Sequence, residues 1–212
     1  MRSRSDLLYL AYGSNLHPLR LQERVPSAGL MDVVRLSGQR LMFHKISPDG
    51  SSKCDLVESG RRHMAFGALY RMSPEDLPAL DAVEGRGSGY DRTLIELPFR
   101  GRWLRAFTYR ASGTHVHPTL RPFAWYRDLV LAGAEFLGLP QTYRRRLVGV
   151  ATQADPDPVR DAEHSALLAR IRRYPSRESL STARSGDSVA IAINEAAGRT
   201  RPGKNADSRR RP

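Results

Sequence analysis

Six consecutive apolar residues, Leu7 to Tyr12, stop at Gly13 and run into Ser14-Asn15-Leu16. A short apolar run closed by a turn residue predicts a buried strand. Such a strand needs hydrogen-bonded neighbours and a covered face, so the rest of the chain must supply a core. The composition allows one: of 212 residues, 40% are hydrophobic and 26% charged. That length fits one domain with an appendage. A wholly disordered chain is excluded.

Further strands are expected at Val33 to Leu36 and Arg40 to Phe43, around a turn at Gly38, and at Met64 to Met72. Thr93 to Leu97 and Trp103 to Tyr109 read as a hairpin turned at Gly101. Ser47 to Ser52 reads as loop. Ser73-Pro74-Glu75-Asp76 is a helix-start signal, with Ser73 as cap and acids in the first turn. Leu77, Leu80 and Val83 follow at helical spacing, and Gly85 closes that short helix. The strongest helical periodicity covers Thr119 to Leu137, through Phe123, Tyr126, Val130 and Ala134. A basic helix is expected at Thr142 to Val148, and an amphipathic one within 156–174. The domain proper is placed at 1–155. Residues 175–212, rich in Ser, Arg, Gly and Ala, read as a basic, disordered tail.

The charge balance is strongly positive: 34 Lys+Arg against 22 Asp+Glu, a net +12. This favours an anionic partner and predicts weak polyanion binding through the tail. One cysteine, Cys54, excludes a disulfide framework and any zinc site built on several thiolates. No segment reaches the ~18 apolar residues of a membrane span, and the N-terminal run is too short for a signal-peptide core. The expectation is a cytoplasmic protein with no membrane attachment.

Two short stretches are equipped for chemistry. Tyr12-Gly13-Ser14-Asn15 at a strand end offers successive backbone N–H groups, a nest for an anion or oxyanion. The same residues also fit an ordinary strand end. In Leu80-Asp81-Ala82-Val83-Glu84-Gly85, Glu84 falls at a helix C-terminus beside apolar anchors. Both surroundings disfavour its charged form and raise its pKa, as a general base near neutrality requires. A solvated helix-end glutamate fits the same pattern. Tyr126 sits on the apolar stripe of its helix, either as core or as a hydroxyl needing a partner. His115-x-His117 lacks a third ligand nearby, so no metal is expected. The Gly85, Gly87, Gly89 series follows a helix rather than a strand and is set aside as a dinucleotide fingerprint. Cys54 has no activating partner in its neighbourhood.

Taken in order, Tyr9-Leu10-Ala11-Tyr12-Gly13-Ser14-Asn15-Leu16, Leu80 to Gly85, and Tyr126 with the helix ending Ala134-Glu135-Phe136-Leu137-Gly138-Leu139-Pro140 resemble the γ-glutamylcyclotransferase-like family. The resemblance covers residues 6–150 and leaves out 47–63 and the C-terminal part. It implies a mixed α+β fold with a small closed or nearly closed β-barrel and packed helices. It also implies an acyltransferase or lyase reaction in which a γ-glutamyl amide yields 5-oxoproline and a free amine. Glu84 would be the catalytic base and acid. Tyr9, Leu10, Ala11, Tyr12, Gly13, Ser14, Asn15 and Tyr126 would bind the substrate, without metal or organic cofactor. Gly13-Ser14-Asn15 differs from the Gly-Ser-Leu-type loop of glutathione-specific relatives, which directs the expectation to γ-glutamyl amino acids or amines. The competing readings are non-enzymatic: a nucleic-acid-binding protein, or a degenerate ligand-binding module, using the same domain and a basic tail.

Overall fold

The computed structural model of the chain describes residues 5–177. Strand β1, Leu7–Ala11, is the centre of the architecture, as its apolar run requires. It pairs antiparallel with β5, Met64–Met72, and parallel with β7, Arg102–Ala111. The five-stranded sheet has the order β2-β5-β1-β7-β6, with β2 at Gly29–Ser37 and β6 at Tyr90–Phe99. Leu10 and Ala11 are almost wholly inaccessible, as are Leu69 and Tyr70 on β5.

Strands β3, Gln39–Ile46, and β4, Ser52–Glu58, form a separate two-stranded ribbon. Gly38 turns the chain from β2 to β3, but the two strands belong to different sheets. The loop expected at Ser47 to Ser52 gives way at Ser52 to β4, which lies in the 47–63 stretch that the family resemblance leaves out. A β-bulge at His44 interrupts the β3 register between Phe43 and Lys45.

The mixed α+β class is as expected, but the sheets are not closed into a barrel. Among the described residues, no ladder joins the outer strands β2 and β6; an Arg100–Asp32 ion pair of 3.4 Å links β2 to the turn that follows β6. The β3–β4 ribbon forms its own two-stranded sheet, tied to the chain beyond β7 by a bridge between Lys45 and Val116.

Short helix α1, Pro18–Gln22, follows a 3-10 turn at Ser14–Leu16. Helix α2, Leu77–Glu84, begins after the 3-10 turn Pro74–Asp76, and Ser73 accepts from the Glu75 N–H as expected. Helix α3 spans Ala124–Phe136, five residues shorter at its start than the periodicity suggested. Phe123 is held extended by a bridge to Gln153, and Pro122 disfavours helix in the residue before it. Helices α4, Gln141–Val148, and α5, Pro158–Arg172, complete the body. Leu167, Leu168 and Ile171 of α5 are buried. The His164 ring stacks 3.6 Å from Trp125 of α3. Among the described residues, no helix is long and apolar enough to cross a membrane. From residue 178 onward, the expected basic tail lies outside the described residues.

Candidate active site

A small cleft of about 30 Å³ opens where the C-terminal end of β1 meets the end of α2. Gly13, Ser14 and Asn15 form one wall and Glu84 faces them. The remaining walls are mostly phenolic: Tyr9, Tyr12, Tyr90, Tyr109 and Tyr126. The turn that carries Ser14 and Asn15 is seated by α3. A Cβ on Gly133 would lie 2.6 Å from Leu16 Cβ and 3.1 Å from the His17 nitrogen, so only glycine lets helix and turn approach this closely. Beneath the turn, His17 is buried and its Nδ1 accepts from the Leu19 N–H, capping α1.

Glu84 is the last residue of α2. Gly85 then takes the left-handed conformation, φ +66°, returning its N–H to the Ala82 carbonyl. Three residues earlier, Asp81 fixes the helix. It accepts from Tyr109 Oη at 2.6 Å and Arg92 Nη1 at 2.8 Å. Leu80 anchors the same helix in the core. Val83, expected to do likewise, is 49% exposed.

Asn15 connects the cleft. Its Nδ2 donates to Glu84 Oε1 at 2.7 Å and to Tyr9 Oη at 3.2 Å, while its Oδ1 accepts from Arg24 Nη1 at 2.9 Å. Arg24 itself stands 4.0 Å from Glu84 Oε1, too far for a tight ion pair. Burial pushes the Glu84 pKa up; Arg24, the Asn15 hydrogen bond, Lys45 and Arg20 pull against it without cancelling it. The rise expected from the sequence is therefore present, with burial in the cleft rather than contact with Val83 as its cause.

Burial raises the pKa of every cleft tyrosine, so each is a neutral phenol at physiological pH. Most of their protons are committed. Tyr12 donates to the Tyr109 carbonyl, Tyr90 to the Cys54 carbonyl and Tyr109 to Asp81. The Tyr126 oxygen accepts from the Cys54 N–H at 3.1 Å. The Tyr9 hydroxyl accepts from Asn15 but donates to no described residue. Cys54 lines the cleft as a buried thiol whose pKa is raised to about 12, chiefly by burial, leaving little thiolate at neutral pH.

Of the residues expected to bind substrate, Tyr9, Tyr12, Gly13, Ser14, Asn15 and Tyr126 meet around Glu84. Leu10 and Ala11 do not reach the cleft. Their side chains belong to the sheet core, Leu10 lying against Gly67. The sequence reading missed Arg24, Tyr90, Tyr109 and Lys45. Lys45 is 5% exposed, and its ammonium lies 4.6 Å from the centre of the Tyr90 ring. Its positive charge is felt at Glu84. Among the described residues, no cluster of His, Cys, Asp and Glu has the makings of a metal site.

The sequence profile of the AIG2-like family matches residues 64–147. Gamma-glutamylcyclotransferase of Mus musculus is 30% identical over 147 residues, spanning 68% of this chain and 78% of the mouse protein. The Homo sapiens protein of the same name is 29% identical over 149 residues, spanning 68% and 79%. Among solved structures, a gamma-glutamyl cyclotransferase superposes with a TM-score of 0.68 at 24% identity, covering 78% of this chain and 99% of that one. An uncharacterised human protein superposes with a TM-score of 0.69 at 25% identity over the same shares. The shared fold and the extent of the match to the mouse protein establish that this chain belongs to the γ-glutamylcyclotransferase family.

Proposed function

We propose that the chain is a γ-glutamyl cyclotransferase that opens a γ-glutamyl amide by attack of the substrate's own α-amine. The observation that carries this reading is the mostly buried Glu84 carboxylate, held by Asn15 in a phenol-lined cleft with no tight counter-ion. A carboxylate in that setting has a raised pKa and can accept and return a proton near neutrality.

The nucleophile comes from the substrate. Cys54 is protonated, and Ser14 has no histidine or carboxylate partner among the described residues. Glu84 takes a proton from the α-ammonium group. The freed nitrogen attacks the γ-carbonyl carbon and closes a five-membered ring. Because amine and carbonyl belong to one molecule, much of the entropic cost of bringing them together is already met. The oxyanion that develops lies within the reach of two kinds of donor. One is the set of N–H groups opening the 3-10 turn at Ser14, which have no partner within their own turn. The other is the uncommitted Tyr9 proton. Glu84 then delivers its proton to the departing nitrogen, the old amide bond breaks, and 5-oxoproline and a free amine leave. No water is consumed.

The binding-module readings account less well for a mostly buried carboxylate held by the Asn15 amide without a tight counter-ion. The test is release of 5-oxoproline from a panel of γ-glutamyl amino acids and γ-glutamyl amines, with Glu84→Gln in parallel. Glu84→Gln keeps the Asn15 contact and the shape but cannot accept the proton. The expected loss is about 10²–10⁴-fold in rate with an unchanged fold. A folded variant with a near-normal rate removes Glu84 from the mechanism.

A further inference from the structure

A second concavity, of about 490 Å³, lies between β3, the turn entering β5, and α4. It shares no lining residue with the Glu84 cleft. Its volume falls in the range of small-molecule sites, about 300–1,000 Å³. The floor is apolar and partly aromatic: Leu41 and Phe43 from β3, Tyr143 and Leu147 from α4. Phe43 and Tyr143 are fixed from behind by edge-to-face contacts, Phe43 on Tyr126 at 6.3 Å and Tyr143 on Phe66 at 5.0 Å.

The rim is cationic. Arg40, Arg62 and Arg146 come from three separate segments and converge on this one opening. All three side chains are exposed, and none has an ion pair or hydrogen bond among the described residues. Many other arginines of the body are engaged, including Arg24, Arg92, Arg110, Arg127, Arg160 and Arg170. No acidic residue lines the groove. Three guanidinium groups held near one another repel, and a bound anion relieves that repulsion. Their planar donor forks match phosphate oxygens two at a time. Two rings in the floor suit a planar unsaturated body beside that anion, since stacking on aromatic side chains tolerates any base.

We propose that this groove is a second binding site, for a small phosphate ester with a planar ring system, of the size and charge of a nucleoside diphosphate. The phosphates sit among Arg40, Arg62 and Arg146, and the ring system lies over Phe43 and Tyr143. The site is separate from the proposed catalytic one and does not depend on it.

Titration calorimetry of the full chain with ADP, adenosine and inorganic pyrophosphate tests it. ADP is expected to bind with one-to-one stoichiometry, at least about tenfold tighter than either fragment, because each fragment satisfies only half of the site. Arg40→Ala/Arg62→Ala/Arg146→Ala should weaken ADP at least about 100-fold by removing charge-assisted contacts, with an unchanged melting temperature. Val150→Trp narrows the groove without altering its charge and should weaken ADP while sparing pyrophosphate. Arginines elsewhere, those of 199–212 included, are untouched by these substitutions. ADP binding that survives the triple substitution, or no binding of ADP by the unmodified chain, overturns the proposal. So does a single-stranded RNA oligonucleotide that binds through the same arginines more tightly than ADP, since the surface is then a nucleic-acid contact.

Discussion

Replacing Asn15 by leucine tests how the cleft sets the proton affinity of Glu84. The side chains have similar volume and Asn15 is only 3% exposed, so the shape is kept while three hydrogen bonds disappear. The Nδ2 bond to Glu84, at 2.7 Å, favours the charged carboxylate, so its loss moves the already raised pKa further up. A hydrogen bond to a charged group contributes about 1.5–3 kcal/mol, and about half of that distinguishes the carboxylate from the acid. At 1.36 kcal/mol per pH unit, the shift is about one unit. Tyr9 and Arg24 also lose their Asn15 contacts, which costs about 1–3 kcal/mol of stability. The assay is the rate of 5-oxoproline release against pH for wild type and Asn15→Leu at low substrate, where kcat/KM reports the free enzyme. The acidic limb should move to higher pH by about one unit while the plateau falls less. An acidic limb that stays in place, in a variant that folds and turns over, refutes the idea that Asn15 poises Glu84.

Three further outcomes follow from the geometry. Tyr9→Phe removes a cleft phenol whose proton meets no described acceptor and should lower kcat about 10²–10³-fold with a smaller change in KM; an unchanged kcat removes Tyr9 from the oxyanion's donors. Gly133→Ala forces a methyl group against Leu16 Cβ and the His17 nitrogen and should cost about 1–3 kcal/mol in denaturant unfolding, with activity falling as the Asn15 turn is displaced. Burial lowers the His17 pKa from 6.5 to about 3, so stability is complete above pH 6.5 and drains away as the pH falls towards 3; between pH 6.5 and 4 this contributes about 3 kcal/mol. His17→Asn keeps a capping oxygen but cannot titrate, so its stability should decline less over that window, while His164, lowered to about 4, adds a smaller slope of the same sign to both proteins.

The local parts of this site were legible in the sequence because they are contiguous. The apolar run into Gly13-Ser14-Asn15 specifies strand then turn, and Glu84 before Gly85 specifies a helix end. The residues that tune the base come from elsewhere. Arg24 reaches Asn15 only because α1 folds back beside the turn, and Tyr109 meets Asp81 only after β7 crosses the sheet. Lys45 was hidden by the bulge at His44, which breaks the alternation of β3 and buries a residue type that composition assigns to the surface. Strand β4 was missed for a related reason. Ser52 and Asp55 are polar yet buried, and Asp55 is satisfied by His44 at 2.8 Å and the Ala111 N–H at 2.8 Å, pairings no local pattern announces. Barrel closure was likewise invisible: whether β2 and β6 pair depends on the curvature of the whole sheet.

Product analysis with a blocked substrate amine tests the central claim most directly. One accepted γ-glutamyl compound is compared with its N-acetyl derivative and with the α-linked isomer. If the substrate's nitrogen is the nucleophile, the unmodified compound yields 5-oxoproline and amine in equal amounts. Acetylation then abolishes cleavage, because neither Cys54 nor Ser14 is equipped to replace the missing amine. The α-linked isomer also fails, since attack on its scissile carbonyl would close a three-membered ring. Cleavage of the acetylated compound, releasing N-acetylglutamate, would contradict the account and assign the cleft to ordinary amide hydrolysis.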